Sequence, residues 1–340
     1  MSIVRILALA SIALWQLHID TAPAPAAPAC AVTPQAFQAL PGRVDSLQAA
    51  GATGRLLALV GRPGSQVRFL PDDVLDILDP THAPARVQTI GLPAYLTAPG
   101  LASRLDGARL YVLEDSRLLT LDGRTGAVLA RQGLPLQAIG WPAAITADNS
   151  AVYLIGQPSN AWTAQAYAMV PDAKGVLRVR WRIALGLTHA GSWVGLAGDR
   201  QLAIYLPDAH DEHGTVLLVD SAHGTQHRAY GVPSPPVGAD ARTDRLFLAD
   251  AGMIRSLRLR GGTAVTATPG ATPLAVDAIR GVVAYVRANR LVVAGTDHLQ
   301  SLIVLPFPAH EPPTALAWQG SRLLVGTASG VRSLLIGACL

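Results

Sequence analysis

Short apolar runs separated by Gly, Pro, Asp and Ser succeed one another along almost the whole chain. No long stretch carries the apolar spacing of an amphipathic helix, so the pattern predicts strands with helix as a minor component. The stretch LYVLEDSRLLTLDGRTGAVLAR, residues 110–131, shows the unit: two short strands joined by a turn, then a second turn at Asp122–Gly126.

The second half of that unit recurs. VLLVDSAHGTQH, residues 216–227, aligns with LLTLDGRTGAVL and sets Asp220 and Gly224 against Asp122 and Gly126. Weaker copies are ILDPTHAPARV, with Asp79, and MVPDAKGVLRV, with Asp172 and Gly175. The four aspartates fall 43, 50 and 48 residues apart. Such a period calls for stacked or radial supersecondary units. Asp79, Asp122, Asp172 and Asp220 read as turn residues, because an Asp side chain accepts from turn N–H groups while Gly supplies the positive φ. Gly91-Leu92-Pro93, Gly133-Leu134-Pro135, Gly186-Leu187-Thr188 and Gly231-Val232-Pro233 track the same period and suit crossovers after outer strands.

About four strands fit each interval, which is the arithmetic of a β-propeller blade of ~40–45 residues. Residues 135–187 give GWPAAITAD, AVYLIG, AQAYAMV and VLRVRWRIAL in turn. The predicted fold is all-β, a seven-bladed propeller with four antiparallel strands per blade. Full blades are expected at 43–92, 93–134, 135–187, 188–232, 233–270 and 271–308. The remainder, 309–340, supplies only three strands, and the segment 30–42 is the missing outer one. Closure of the last blade by the N-terminal strand removes an open sheet edge.

Composition agrees with a large aliphatic core: 50% of residues are hydrophobic, 15% charged and 5% aromatic. The formal charge of +4 comes mainly from dispersed Arg, and no Lys/Arg run forms a nucleic-acid arm. Residues 1–29 read as a signal peptide with a Pro/Ala-rich cleavage region: Arg5, the apolar ILALASIALW, then TAPAPAAPA. An uncleaved anchor with a Pro/Ala tether is the other reading. No other segment is long and apolar enough to span a bilayer. The predicted location is exported, periplasmic or extracellular. Cys30 begins the proposed outer strand and Cys339 ends its neighbour, so the pair is expected to form a disulfide that locks the ring. Two unrelated thiols, or lipid attachment at Cys30, are the alternatives.

The strand–Asp–x–x–x–Gly–strand unit, best seen in LYVLEDSRLLTLDGRTGAVLAR, resembles the PQQ-like and YVTN-type repeats of bacterial β-propellers over roughly residues 43–340. GVLRVRWRIAL, with Trp181, is similar to the outer strand of a quinoprotein repeat. The resemblance implies a propeller; its families include quinone-dependent dehydrogenases, assembly scaffolds and surface proteins. Regular Trp docking and a vicinal Cys pair are missing here, so the resemblance does not imply a bound quinone.

The most polar cluster is DAHDEH, with Asp208, His210, Asp211, Glu212 and His213, in an expanded hairpin between QLAIYLP and TVLLVD. Imidazoles beside carboxylates have the ligand chemistry of a divalent-metal site; the same residues also suit a solvated loop tip. His310 and Glu311 precede the inner strand of blade seven, Asp240 and Asp244 flank one in blade five, and Asp148 and Asn149 flank one in blade three. Residues at inner-strand ends surround a channel mouth, where propellers gather binding groups, although Asp and Asn there also serve turns. Trp141, Trp193 and Trp318 fall in inner-strand segments and are expected to pack, whereas Trp162, beside Asn160, is the exposed candidate for a binding surface.

Nucleophile-elbow, phosphate-loop, dinucleotide and metalloprotease signatures are absent. The chain therefore reads as a monomeric, exported, non-enzymatic binding or scaffold module for a protein or carbohydrate partner. It calls for no nucleic acid and no transmembrane span in the mature chain. The one cofactor the residues allow is a divalent metal. The alternative is a metal-dependent hydrolase or lactonase, or an oxidoreductase, with its site at the channel mouth.

Overall fold

A computed structural model describes residues 32–61, 74–80, 85–92, 98–139, 143–159, 161–172, 175–186, 191–208, 213–259, 264–336 and 340. They form seven antiparallel sheets. After β1 (Thr33–Ala39), blade one is β2 (Val44–Ala49), β3 (Leu56–Val60), β4 (Val74–Asp79) and β5 (Ala85–Gly91). Blade two is β6 (Gly100–Ser103), β7 (Arg109–Glu114), β8 (Arg117–Asp122) and β9 (Val128–Gly133). Blade three holds β10 (Leu136–Ala138), β11 (Ile145–Ala147), β12 (Val152–Pro158), β13 (Ala164–Pro171) and β14 (Leu177–Gly186). Blade four is β15 (Trp193–Leu196), β16 (Gln201–Pro207), β17 (Gly214–Asp220) and β18 (Gln226–Val232). Blade five is β19 (Pro236–Asp240), β20 (Arg245–Asp250), β21 (Met253–Arg258) and β22 (Ala264–Pro269). Blade six is β23 (Ala271–Asp277), β24 (Val282–Arg287), β25 (Arg290–Gly295) and β26 (Ser301–Pro306). Blade seven is β27 (Ala315–Gln319), β28 (Arg322–Gly326) and β29 (Gly330–Leu335), and its sheet order β1-β29-β28-β27 makes β1 the outer strand.

That closure is direct. Thr33 pairs with Leu335 and Ala39 with Gly330, and Val44 N donates to Thr327 O at 2.9 Å as the chain passes into blade one. The seven-bladed expectation, with the last blade closed from the N-terminus, holds. Cys30 and Cys339 lie outside the described residues.

Central strands are buried on both faces because each blade is packed between two others. In β3 all five residues of LLALV are buried. Leu56, Ala58 and Val60 join the cluster shared with blade seven, while Leu57 and Leu59 join the one shared with blade two. Seven such clusters fill the seven seams, including the seam that closes the ring. Burial at roughly 25 cal/mol per Å² of apolar surface makes these seams the main source of stability.

Two features depart from a plain four-strand reading. The inner strand of blade three is split: β10 and β11 both pair with β12. Ala144 N donates to Ile139 O at 3.1 Å and closes the interruption. Gly140-Trp141-Pro142 falls in that interruption and lies outside the described residues. In all seven blades, the outer strand gains one unpaired residue near its start: Val87, Leu129, Arg180, His227, Val265, Leu302 and, in β1, Gln35 stand between paired neighbours. A bulge twists the strand and frees the extra side chain. Val87, Leu129 and Leu302 are accordingly exposed although apolar.

Strands alternate in direction, so the turns within strand pairs one–two and three–four lie on one face of the ring, here the turn face. The two–three hairpins and the crossovers between blades lie on the other, the crossover face. Inner strands from every blade line a central cavity of about 560 Å³.

Candidate functional site

The turn face is built on carboxylates that hold their own loops. Asp122 Oδ1 accepts from Arg124 N, Thr125 N and Thr125 Oγ1 at 3.1, 2.9 and 3.0 Å. Gly126, at φ 78°, returns its N–H to Asp122 O. Hydrogen bonds from Thr125, backbone first, hold the Asp122 carboxyl below its ordinary value. Asp220 repeats the device with Ala222 N, His223 N and His223 Nδ1 at 2.9, 2.8 and 3.0 Å, and with Gly224 at φ 74°. Burial pushes the Asp220 carboxyl up, but the His223 and Ala222 bonds outweigh it and the net shift is down. Asp172 accepts from Val176 N at 3.0 Å and pairs with Arg178 at 3.2 Å. Asp79 pairs with Arg55; residues 81–84 after it are outside the described set.

The same chemistry caps the inner turns around the cavity. Asp106, Asp148, Asp240 and Asp277 each accept from backbone N–H groups two or three residues ahead. Neighbouring blades are then tied to one another. Asp106 N donates to Asn149 Oδ1 at 2.8 Å, Arg242 donates to Ile279 O at 2.7 Å, and Gln319 Nε2 donates to Gly54 O at 2.7 Å. Arg280 joins Asp277 at 2.5 Å and also reaches Gly320 O. At the mouth the turns of blades two and three, and those of blades five, six, seven and one, are thus bonded to one another. Out of these polar turns project Leu105, 64% exposed, and Ile279, 84% exposed. Both border the central cavity and an adjoining hollow of about 650 Å³, which also share Leu196, Ala241 and Ala278. The result is an apolar patch with Asp199, Arg200 and Arg242 beside it.

The candidate residues predicted from sequence are divided between the two faces. Asp240 is fully buried, and its carboxylate is taken up by Arg242 N, Thr243 N and Thr243 Oγ1. It supports the turn-face mouth from beneath and is not a surface group. Asp244 lies against Gly198 of the preceding blade. Asp148 also accepts from the Tyr153 hydroxyl at 2.7 Å; burial and this carboxylate push the Tyr153 phenol up to about 12.

On the crossover face are Trp162, 89% exposed in the hairpin of blade three, and the blade-four hairpin, closed by Asp208 N to His213 O at 3.0 Å. His210, Asp211 and Glu212 lie outside the described residues, as do Trp141 and Asn160. Among the described residues no group of three His, Cys, Asp or Glu side chains is placed to hold a metal ion. His310 is exposed on the crossover into blade seven. Glu311 beside it is engaged by Ser329 and Arg332, and by Thr327 Oγ1 at 3.3 Å. These bonds, that of Ser329 foremost, hold its carboxyl below the ordinary value. Glu311 therefore braces blade seven, whose Arg332 also lies 4.8 Å over the Phe37 ring of β1. The structure does not bring Trp162, the His213 hairpin and His310 together: they belong to blades three, four and seven.

Leu105 and Ile279 were not singled out by sequence. Their signal is a lone apolar residue inside a polar turn, in RLDG and DAIRG. Trp193 and Trp318 do lie on inner strands, Trp193 folded over Gly195 and Trp318 donating to Ala275 O at 3.2 Å.

Among the described residues no helix is long and apolar enough to cross a membrane. No family model matches the chain, and no curated protein matches it. Among solved structures, BamB from Moraxella catarrhalis is similar, with a TM-score of 0.53 at 15% identity over 89% of this chain and 99% of that one. At that identity the likeness is one of fold, and it agrees with the strand order above: the chain is a β-propeller.

Proposed function

We propose that this chain is an exported, non-enzymatic propeller that binds a protein partner through the turn-face mouth. One observation carries the reading: Leu105 and Ile279 stand exposed around a shared hollow, on turns bonded to those of neighbouring blades. Interfaces concentrate their energy in apolar anchors set in a preorganised surface with a polar, Arg-containing surround. The similarity in fold to BamB, and the scaffold proteins within the family the repeats resemble, fit a binding role. A PQQ-like repeat is part of this reading, supported by Trp181 of β14, which donates Nε1–H to Ser221 O at 2.9 Å and covers Gly224, docking one blade on the Asp-containing turn of the next.

The test is photo-crosslinking in the native host with probes at the mouth. The wild-type protein and a Trp162→Ala control are expected to give the same partner band, and Leu105→Glu/Ile279→Glu to lose it while keeping its far-UV spectrum. An unchanged band in the double variant overturns the reading. The metal-enzyme alternative requires the hairpin: elemental analysis of purified protein, with His210→Ala/His213→Ala as control, is expected to show no bound metal above the variant's level.

Export rests on residues 1–29. A Cys30–Cys339 bridge is part of the same proposal: β1 and β29 pair Thr33 with Leu335, three and four residues from the two cysteines. Intact mass of the mature protein is expected to rise by two hydrogens on reduction.

A further inference from the structure

The rim of the propeller carries a charge asymmetry. The outer strands of blades one to four contain Arg86, Arg131, Arg178, Arg180, Arg182 and Arg228, and no carboxylate. Those of blades five to seven, AVTATP, SLIVLP and TPQAFQA, carry no charge at all. The asymmetry peaks at β14, the longest strand, with ten residues. It ends its sheet, so its outward edge has no strand partner among the described residues. Arg178 is held by Asp172. Arg180 and Arg182 are exposed and form no ion pair among the described residues. Arg180 is the bulged residue, which re-aims its side chain. Beside it lies a hollow of about 610 Å³ lined by Pro135, Pro158, Tyr167, Val179, Trp181 and the two free arginines.

Arginine on an edge strand can be a guard against pairing. Here the guard is one-signed, and an apolar and aromatic recess lies beside it. We propose that the outer edge of β14 accepts an extended acidic segment of a protein partner as an added strand. Backbone hydrogen bonds to the open edge would supply affinity that does not depend on side chains. Carboxylates on alternate residues would meet Arg180 and Arg182, and an apolar side chain would enter the recess against Tyr167 and Val179. This surface is separate from the turn-face mouth, so it stands or falls independently of the binding role assigned there.

The test uses the full mature chain and a fluorescent, N-acetylated decapeptide in which Glu alternates with Val and Thr. Fluorescence anisotropy is expected to show binding, and hydrogen exchange to slow at residues 177–186. Arg180→Gln/Arg182→Gln should weaken binding about fivefold to tenfold, as expected for two exposed ion pairs. The same peptide with alternate backbone nitrogens methylated cannot complete a ladder and should bind at least about tenfold more weakly. This arm needs only the wild-type protein, so the test survives if the variant misfolds. Equal binding of methylated and unmethylated peptides overturns the proposal. So does no binding at millimolar peptide, protection confined to other strands, or a heparin fragment that binds as tightly with the same loss in the variant.

Discussion

Asp122 and Asp220 accept three turn hydrogen bonds each, and both carboxyls are held below the ordinary value. A depressed native pKa favours the ionised form on folding. The stabilisation is fully present above the unfolded value of about 3.9 and is lost as pH falls through the lower native values. Denaturant titrations at pH 7 should therefore show Asp122→Ala destabilised by about 1–2 kcal/mol, with the difference from wild type shrinking towards pH 2. Gly126→Ala should cost about 1–3 kcal/mol at all pH values, since its φ is 78° and an added Cβ meets Ile77 Cγ2 at 2.5 Å. These roles were legible because Asp and Gly are the residues such a turn demands. Blade six hides the same turn. Leu299, at φ 52°, returns its N–H to Gly295 O at 3.0 Å, with a buried leucine where blades two and four have Gly126 and Gly224. Packing offsets the backbone strain there, and no sequence pattern announces it. The mouth-capping Asp106 was missed because Gly107 follows it at once, without the spacing that marked the outer set; Asp277 has that spacing, with Gly281, but falls 57 residues after Asp220, off the period of the outer turns.

Between blades two and five, outer strands dock each blade on the next, and their side chains differ from seam to seam. Gln132 exchanges two bonds with Leu177, at 2.8 and 3.0 Å; Trp181 reaches Ser221, and Tyr230 reaches Leu259 O at 2.7 Å. Of these three seams one uses Gln, one Trp and one Tyr, which is why a regular tryptophan signature is absent from the sequence although the docking recurs. Trp181 adds a tilted ring contact with Tyr153 at 6.1 Å. Urea unfolding should separate its two contributions. Trp181→Phe is expected to lose about 1 kcal/mol with the Ser221 bond, and Trp181→Ala about 3 kcal/mol as packing goes too. Equal losses would show that the hydrogen bond alone matters. Strand counts and most blade limits were legible from alternating runs between turn residues. The bulges were not, because an extra residue such as Leu129 or Leu302 looks like any other apolar strand position.

At the scale of the molecule, the proposed binding role depends on the ring being closed. Only then do seven inner strands surround one cavity, with Leu105 and Ile279 on a single rim. The last blade was readable as incomplete because residues 309–340 hold only three strand runs, and the N-terminal segment as its missing strand because it ends in Leu40-Pro41, like the Leu-Pro pairs that close other blades. The surface proposed to meet a partner was not readable, since its residues come from turns far apart in sequence that only closure assembles. The structure makes closure a matter of six paired positions between β1 and β29. Amide hydrogen exchange of β1 in the mature protein tests this most directly. The N–H groups of Thr33–Ala39 directed at β29 are predicted to exchange as slowly as those of β29 and to open only with global unfolding. Exchange at free-chain rates in β1, while the β28–β29 ladder stays protected, would mean that the ring is open and would contradict the assembled mouth.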